Sequence, residues 1–295
     1  MEHIVTKENE RIDNYLKDLL NISRSKASKL IDDVLVNGKK VKSSYIVKLN
    51  DVINVEIKEE ETSFEPEEMD LDIVYEDDDL LVVNKQNGVV VHPAIGNTKH
   101  TLVNGLMYHS DNLSSINGEF RPGIVHRIDA YTTGLLMVAK NDKAHEFLSK
   151  QLSEKTTHRK YIALVWGVIR NDTGTIDAPI GRDPNERKKM TVTANNSKEA
   201  ITHFRVLERY KNATLIELKL ETGRTHQIRV HMNYINHPVV NDPVYGRRKL
   251  IDNTGQCLHA KELGFIHPKT LKYMEFSCEL PDCFTNILDR FKEEL

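Results

Sequence analysis

Apolar residues near the start of the chain recur three and four positions apart in two short runs. The runs are Ile12, Tyr15, Leu16, Leu19 and then Ala27, Leu30, Ile31, Val34. Because this spacing places side chains on one face of a helix, we expect two short helices between Arg11 and Leu35. VLVNGKKVK (34–42) then predicts an Asn-Gly turn between two short strands, and DVINVEI (51–57) alternates as a strand does.

Beyond Leu71 the pattern favours strands over helices. Strand-like runs occupy residues 80–85, 135–140, 160–167, 201–210 and 213–220. Helical spacing returns at residues 145–152 and 225–235. Strands that outnumber helices, without a regular alternation of the two, predict an α+β domain in which helices flank a mixed, mainly antiparallel sheet. The pattern argues against a doubly wound sheet.

An acidic stretch separates the two patterns. Residues 59–79 carry twelve Asp or Glu residues and no Lys or Arg, and the first dozen include a proline and few apolar residues. Such a segment cannot bury enough apolar surface to build a core, so we interpret residues 59–70 as a linker. The predicted organisation is a small α/β domain (1–58), the acidic linker (59–70) and a large domain (71–295).

Charge and cysteine content indicate which partners and which cellular compartment to expect. The formal net charge of the 295-residue chain is −3, which alone argues against a nucleic-acid partner. Both flanks of the acidic stretch are basic, however, with 11 Lys or Arg against 9 Asp or Glu before it and 30 against 23 after it. The three cysteines form no CxxC pair, no signal-peptide pattern opens the chain, and no apolar run approaches the ~18 residues of a membrane helix. We expect a soluble, cytoplasmic protein with no membrane partner.

A basic cluster marks the start of the second predicted helix. Ser23 or Ser25 can cap this helix, and Arg24, Lys26 and Lys29 crowd its first turns. Positive charge at a helix N-terminus opposes the helix dipole, a cost that a bound anion offsets. A solvated basic face is the alternative.

The same region resembles a known RNA-binding domain. Its helix–helix–hairpin order, with SRSKASKLI (23–31) and VLVNGKKV (34–41), is similar to the small S-four-type domain of a small-subunit ribosomal protein and several RNA-modifying enzymes. The resemblance implies an RNA-docking module, in which we assign Arg24, Lys26 and Lys29 to RNA binding.

The segment GIVHRIDAYTTGLLMVAK (123–140) presents a carboxylate, Asp129, on a turn before a strand. Taken alone, an Asp in a turn is more often a backbone-capping group than a catalytic one. The segment closely resembles the HRLD-x-x-TSGLL signature of the pseudouridine synthase family typified by enzymes acting on large-subunit ribosomal RNA. The resemblance implies that Asp129 is the catalytic nucleophile and that Arg127 fills the space of a flipped uridine. We also assign His126 to RNA binding.

A second block, THRKYIALVWG (157–167), resembles the K-x-Y motif of the same family. The resemblance implies that Tyr161 lies in the active site against the target base. An aromatic ring with a hydroxyl group suits this position because it can stack on a base and exchange a proton. An ordinary core aromatic on a strand is the alternative for the residue alone.

Two more blocks complete the resemblance. LETGRTHQIRVHMNYINHPVVNDPVYG (220–246) contains Arg224, which we assign to hold the Asp129 carboxylate; a phosphate contact or a surface charge is the alternative. QCLHAKELGFIHPKT (256–270) places Lys261 at the rim of the site. Both blocks follow in the order that the family shows.

The implied reaction detaches uracil from ribose, turns the base and rejoins it through a ring carbon. A carboxylate can stabilise or trap an oxocarbenium-like sugar, or remove a sugar proton, so we expect no cofactor, nucleotide or metal. Four histidines, at positions 226, 231, 259 and 267, lack zinc-type spacing. We expect a monomer whose partner is RNA, with large-subunit ribosomal RNA first and transfer RNA second.

Two positions depart from the family pattern, and two other functions stay open. Ala130 and Tyr131 stand where family members carry a basic and then an acidic residue. This departure motivates an RNA-binding ribosome-assembly factor of the same fold with weakened catalysis. A glycoside-type hydrolase would need a second acid, which none of the matched blocks supplies.

Overall fold

The computed structural model describes residues 2–20, 27–28, 30–55, 65–93, 98–116, 118, 121–186, 188–246 and 248–293. The chain divides into two units, Met1–Ser63 and Phe64–Leu295, and each is described by itself. Within the described ranges, no helix is both long and apolar enough to cross a membrane.

The N-terminal unit contains a small antiparallel sheet and one described α-helix. Its elements are β1 (Glu2–Ile4), α1 (Ile12–Leu20), a 3-10 turn (Ile31–Asp33), β2 (Val34–Val36), β3 (Lys39–Lys40) and β4 (Val52–Val55). The strands lie in the order β1-β4-β2-β3, and their pairings are antiparallel. Ile12 and Leu16 of α1 are buried in one core with Ile53 of β4, as their helical spacing predicts.

Two further predictions for this unit, the Asn-Gly hairpin and the extent of the second helix, have different outcomes. Asn37 and Gly38 have φ angles of +50° and +74°, which is the type I′ turn expected of an Asn-Gly hairpin. Val34, assigned by its spacing to the second helix, instead begins β2 and pairs with Val55. Its side chain is fully buried on the core face of the sheet, so tertiary packing outweighs the local helical spacing.

The C-terminal unit is built on one nine-stranded sheet. The described strands of the whole unit, nine in this sheet and two in a separate hairpin, are β5 (Ile73–Glu76), β6 (Leu80–Lys85), β7 (Thr133–Ala139), β8 (His158–Trp166), β9 (Thr173–Asp177), β10 (Ile180–Arg182), β11 (Met190–Val192), β12 (Ile201–Arg209), β13 (Ala213–Leu220), β14 (Leu258–Ile266) and β15 (Tyr273–Ser277). The described helices are α2 (Leu102–His109), α3 (Asp142–Ser153), α4 (Gln227–Tyr234) and α5 (Asp282–Glu293). The large sheet runs β5-β6-β7-β14-β8-β13-β12-β9, with β15 beside β14, and β10 and β11 form a separate hairpin.

Helices cover both faces of the large sheet. Helices α2 and α4 pack on the face that carries Leu136 of β7, whereas α3 packs on the opposite face against Leu135. Helix α5 packs against Leu164 of β8. Because β7 is buried on both faces, its sequence is a continuous apolar run. Pairing is antiparallel except between β7 and β14, which confirms the predicted α+β class with a mixed, mainly antiparallel sheet.

The strands and helices predicted for this unit are present, with small shifts at their ends. Strands β6 and β13 have the predicted bounds. Helix α3 begins before the predicted apolar run because the Asn141 side chain caps it, accepting a hydrogen bond from the backbone N–H of Ala144 at 2.9 Å. Helix α4 begins later, after His226 in a left-handed conformation.

Five strands meet at one level of the sheet, and this level positions the candidate site. Successive partners across the sheet are Lys85 of β6, Gly134 of β7, Ala260 of β14, Tyr161 of β8 and Leu218 of β13. Gly134 has a φ of +107°, and a Cβ there would overlap the carbonyl oxygen of Ala260. Only glycine lets the two parallel strands approach so closely, directly after the loop that carries Asp129.

Candidate functional site

Four of the sequence-predicted residues line one cleft in the C-terminal unit. Asp129 follows the buried Ile128 on the loop before β7, and its carbonyl accepts a hydrogen bond from the N–H of Thr132 at 3.0 Å, which closes the turn. The cleft has a volume of about 50 Å³, room for a few water molecules. Its polar lining residues include Arg127, Asp129, Tyr161, Arg224, His226 and Arg229. The structure therefore brings together residues from three separate sequence blocks.

The cation that pairs with Asp129 is Arg229, not Arg224. Arg229 Nη1 donates to Asp129 Oδ2 at 2.8 Å. The Nε atom of Arg224 instead donates to the backbone carbonyl of Glu199 at 2.7 Å. The expectation that Arg224 holds the carboxylate is therefore wrong: Arg224 precedes α4, whereas Arg229 lies inside it on the turn that faces the loop.

A second carboxylate holds Arg229 in place. Arg229 donates from Nε and Nη2 to the two oxygens of Asp242, both at 2.8 Å, and Asp242 also accepts hydrogen bonds from the backbone N–H groups of Val244 and Tyr245. Burial alone would lower the pKa of Arg229, but Asp242 and Asp129 raise it overall. Burial would likewise raise the pKa of Asp242, and Arg229 lowers it overall. Both groups are charged, and Asp242 holds the Arg229 guanidinium in the position from which it binds Asp129.

His226 approaches the other oxygen of Asp129. Its Nε2 lies 3.7 Å from Asp129 Oδ1, and its Nδ1 lies 2.8 Å from the hydroxyl of Tyr245. That hydroxyl accepts from the backbone N–H of Met190 at 2.9 Å, so its own hydrogen is free to point to Nδ1. Burial lowers the pKa of His226, an effect that Asp129 opposes. The ring is thus neutral with its hydrogen on Nε2, facing the carboxylate.

Tyr161 lines the cleft, and Lys85 contacts the loop that carries Asp129. Tyr161 is 7% exposed, and burial raises the pKa of its hydroxyl, so the phenol is neutral. Lys85 is buried, and its Nζ donates to the carbonyls of Gln86 and Ala130, both at 2.7 Å. Burial lowers the pKa of Lys85 to about 7, against the opposing charge of Asp129. The bond to Ala130 braces the loop next to Asp129.

The departures at Ala130 and Tyr131 leave this brace intact. Lys85 contacts the main-chain oxygen of Ala130, so the identity of that side chain does not enter the contact. The ring of Tyr131 lies on Gly255, where a Cβ would overlap it. An aromatic contact therefore holds the second position, where the family pattern has a charge.

Two other predicted residues lie away from the lining of the cleft. The Nε2 of His126 accepts from the backbone N–H of Met137 at 3.0 Å, and burial, with the charge of Arg159, lowers the pKa of His126 to about 3. The ring therefore ties the loop to β7, and the assignment of His126 to RNA binding stays a prediction. Lys261 pairs with Glu279 at 3.2 Å and is not among the residues that line the cleft.

The basic residues assigned to the N-terminal unit have no structural counterpart here. Arg24, Lys26 and Lys29 lie outside the described residues, as do both serines predicted to cap that helix. Their assignment stays a prediction.

Sequence reasoning missed three groups of the site. Arg229 stands in the quoted HQIRVH segment, and helical spacing would have shown that it faces inward with Ile228 and Met232. Asp242 follows an apolar pair in VVNDPVYG, where a carboxylate needs a cation. Lys85 ends the apolar strand LLVVNK. Lysine is seldom buried, so its place at the end of a buried strand is a signal for a functional or bracing role.

Histidines and acids that could bind metal are used in other contacts. His231 and His259 are buried and hydrogen-bonded to Thr202 and Thr133. Within the described ranges, a group with ligand atoms within 4.8 Å of one another comprises Asp77, Asp79 and His267. His267 Nε2 lies 2.6 Å from Asp77, which also accepts from backbone N–H groups, so these residues serve one another as partners.

Comparison with known proteins gives consistent matches along the chain. Residues 79–234 match the model of a family described as RNA pseudouridylate synthase, and residues 10–53 match the S4 domain. An uncharacterized RNA pseudouridine synthase of Bacillus subtilis, YlyB, is 54% identical, over 97% of this chain and 96% of its own length. Ribosomal large subunit pseudouridine synthase D of Zymomonas mobilis is 45% identical, over 92% and 90%.

A solved structure shares the fold of the large unit. The human protein RNA Pseudouridylate Synthase Domain Containing 1 superposes with a TM-score of 0.60 and 27% identity. The match covers 76% of this chain and 95% of that one.

Proposed function

The chain belongs to the RNA pseudouridylate synthase family, whose members isomerise uridine to pseudouridine, and from this premise we propose that Asp129 is its catalytic residue and large-subunit ribosomal RNA its substrate. The observation that carries the proposal is the position of the Asp129 carboxylate. It is partly exposed in a cleft whose other groups orient it. Tyr161 lies in the same cleft, so a base that enters meets both residues.

The residues of the cleft have separate tasks in this proposal. The Asp129 carboxylate acts on the ribose in one of two ways. It bonds to C1′ as the bond to uracil N1 breaks and leaves C1′ again as C5 bonds there, or it takes a sugar proton as N1 leaves and returns that proton as C5 bonds to C1′. Arg229 fixes one carboxylate oxygen, and the N–H of His226 faces the other. Tyr161 supports the detached uracil while it turns and rejoins the sugar through C5. The proton lost from C5 balances the one gained at N1.

Extrusion of the target uridine precedes this chemistry. A stacked base cannot reach Asp129, so the RNA must give up stacking and pairing at a cost of a few kcal/mol. Arg127 is exposed and lies beside Asp129 in the lining of the cleft. A guanidinium can stack on bases and at the same time donate hydrogen bonds to their edges. Arg127 is therefore suited to fill the space that the extruded uridine leaves in the RNA.

Two features support ribosomal RNA as the substrate. Relatives named ribosomal large subunit pseudouridine synthase D match over nearly the whole chain, among them one of Neisseria meningitidis that is 43% identical over 96% of it. The match of residues 10–53 to the S4 domain is consistent with a second RNA-binding unit, which would add contacts to a large structured RNA. Transfer RNA is the second substrate to test.

The experiment maps pseudouridines across ribosomal and transfer RNA in cells that lack the gene. Wild type, Asp129→Asn and Asp111→Asn are then restored in turn; Asp111 is exposed and serves as the matched control. We expect one or more large-subunit sites to vanish and to return with wild type and Asp111→Asn only. In vitro, Asp129→Asn should lower the rate by ~10³-fold or more. Full modification by Asp129→Asn would exclude Asp129 as the catalytic residue.

A further inference from the structure

Arg127 and Arg229 flank the same loop but are held in different ways. Arg229 donates three hydrogen bonds to two carboxylates, and its side chain is 4% exposed. Arg127 is exposed, and its Nη1 lies 3.2 Å from Nε2 of His92. One cation is fixed by two carboxylates, whereas the hydrogen-bond partner that the described residues provide for the other is an uncharged ring.

The protonation state of His92 follows from this contact. A guanidinium can only donate, so Nε2 of His92 is the acceptor and its hydrogen is on Nδ1. Burial, and then the charges of Arg127 and Arg121, lower the pKa of His92 to about 4, so the ring is neutral near pH 7. Nδ1 is buried with no hydrogen-bond partner among the described residues, so the contact with Arg127 is the polar contact of this ring that the structure shows.

The imidazole is the fixed member of the pair. His92 is 4% exposed, and the residues before it are tied to α2 by backbone hydrogen bonds. The N–H groups of Leu102 and Val103 donate to the carbonyls of Val90 and Val91 at 2.8 and 3.1 Å. Any movement at the contact therefore belongs to the long, exposed side chain of Arg127.

A neutral acceptor suits a side chain that must later leave. A carboxylate in the place of His92 would bind Arg127 through two charge-assisted bonds and cancel its charge. The imidazole takes one longer bond and leaves the charge of Arg127, with that of Arg121 nearby, to attract RNA phosphates. The narrow cleft adds a reason for movement, since a base enters only when side chains at its mouth give way.

We infer that His92 is a positioning residue for Arg127: it holds the guanidinium beside Asp129 before RNA binds and releases it into the space that the extruded uridine leaves. The inference rests on the proposed function and concerns the extrusion step alone. His92 touches neither the ribose nor the base.

The test compares two synthetic RNA hairpins that carry the uridine found by mapping. In one the uridine is paired in the stem, and in the other it sits in a single-nucleotide bulge, where it is already unstacked. We expect His92→Phe to lower the single-turnover rate about tenfold on the paired hairpin and less than about twofold on the bulged one. His92→Gln, whose amide oxygen can accept from Arg127, should recover most of the loss.

Further variants separate positioning from general damage. The double variant His92→Phe, Arg127→Ala should be no slower than Arg127→Ala, because His92 acts through Arg127. His145→Phe places the same substitution at a buried histidine of α3 and should leave both rates unchanged. If His92→Phe does not fold, His92→Leu takes its place.

Three results would overturn the inference: wild-type rates in His92→Phe, equal losses on the two hairpins, or losses that add to those of Arg127→Ala. Failure of the proposed function looks different. It would appear as product formed by Asp129→Asn on either hairpin, whatever the His92 variants do.

Discussion

At the scale of single residues, the site depends on where charges are paired. Asp242 is 1% exposed and Arg229 is its partner, so each would be costly to bury alone. Among the described residues no carboxylate pairs with Arg224, which donates to a backbone carbonyl. The two arginines are five positions apart, but removing them has different consequences.

Arg229→Met should lower the free energy of unfolding by about 3–5 kcal/mol, because it leaves the Asp242 carboxylate buried without a cation. Arg224→Met, the matched control, should stay within about 1 kcal/mol of wild type. Urea unfolding followed by circular dichroism measures both. Adding Asp242→Asn to Arg229→Met should recover part of the stability; equal effects of the two single variants would contradict this account of the ion pair.

Lys85 predicts a pH dependence of stability. Its pKa is lowered by burial from 10.5 to about 7 in the folded protein, so between these values the unfolded chain holds a proton that the folded protein lacks. The free energy of unfolding therefore increases as the pH rises across this window and decreases as the pH falls towards 7. Lys85→Met has no such group. We expect denaturant unfolding to show that the free energy of unfolding of wild type, relative to that of Lys85→Met, increases from pH 7 to 9.5. If the free energies of the two proteins change with pH in parallel, the pKa of Lys85 is not lowered.

At the scale of elements, apolar spacing predicts β6, β7, β8, β12 and β13 and the helices α3 and α4 of the large unit, whose apolar residues recur at helical spacing or form strand-like runs. It does not predict short strands such as β5, β10 and β11 or the helices α2 and α5. It fails where packing competes with local spacing, as at Val34, which joins a strand. The site is less predictable. The family resemblance predicts that Asp129 and Tyr161 share a site, and both line the cleft. The resemblance does not show which of Arg224 and Arg229 faces the loop that carries Asp129. That choice depends on where α4 begins, which the left-handed His226 determines.

The parallel contact of β7 with β14 predicts a strong effect at Gly134. Gly134→Ala introduces a Cβ that overlaps Ala260 and adds strain at a positive φ, whereas Gly88→Ala, at φ +79°, meets no atom within 4 Å. The control should cost about 1–2 kcal/mol of backbone strain. Gly134→Ala should cost at least about 2 kcal/mol more, because the strands must separate. Thermal unfolding of both variants measures the difference, and similar values would mean that the strands yield easily.

At the scale of the whole molecule, each unit has an apolar core of its own. One core lies between Val5 and Val55, and the others are built from residues beyond Leu71. The residues that orient Asp129 all belong to the second unit. RNA affinity and catalysis are thus expected to be separable.

A chain of residues 64–295 should therefore fold with an unfolding temperature close to that of its unit in the full chain. It should convert bound RNA at a similar rate but bind it more weakly, by roughly 10²-fold, because one of two linked binding units is lost. Calorimetry and steady-state kinetics on ribosomal RNA fragments measure these effects. A lost turnover rate in a folded truncated chain would show that the first unit takes part in the chemistry.

The contact between Lys85 and the main-chain oxygen of Ala130 has an evolutionary consequence. Every amino acid offers that oxygen, so the side chain immediately after Asp129 can change without loss of this contact. Ala130 and Tyr131 show such a change, with an aromatic ring settled on Gly255. Divergence beside Asp129 is therefore neutral for the architecture of the loop. Substitutions at these positions therefore alter the surface beside the cleft while the Asp129 carboxylate stays in place.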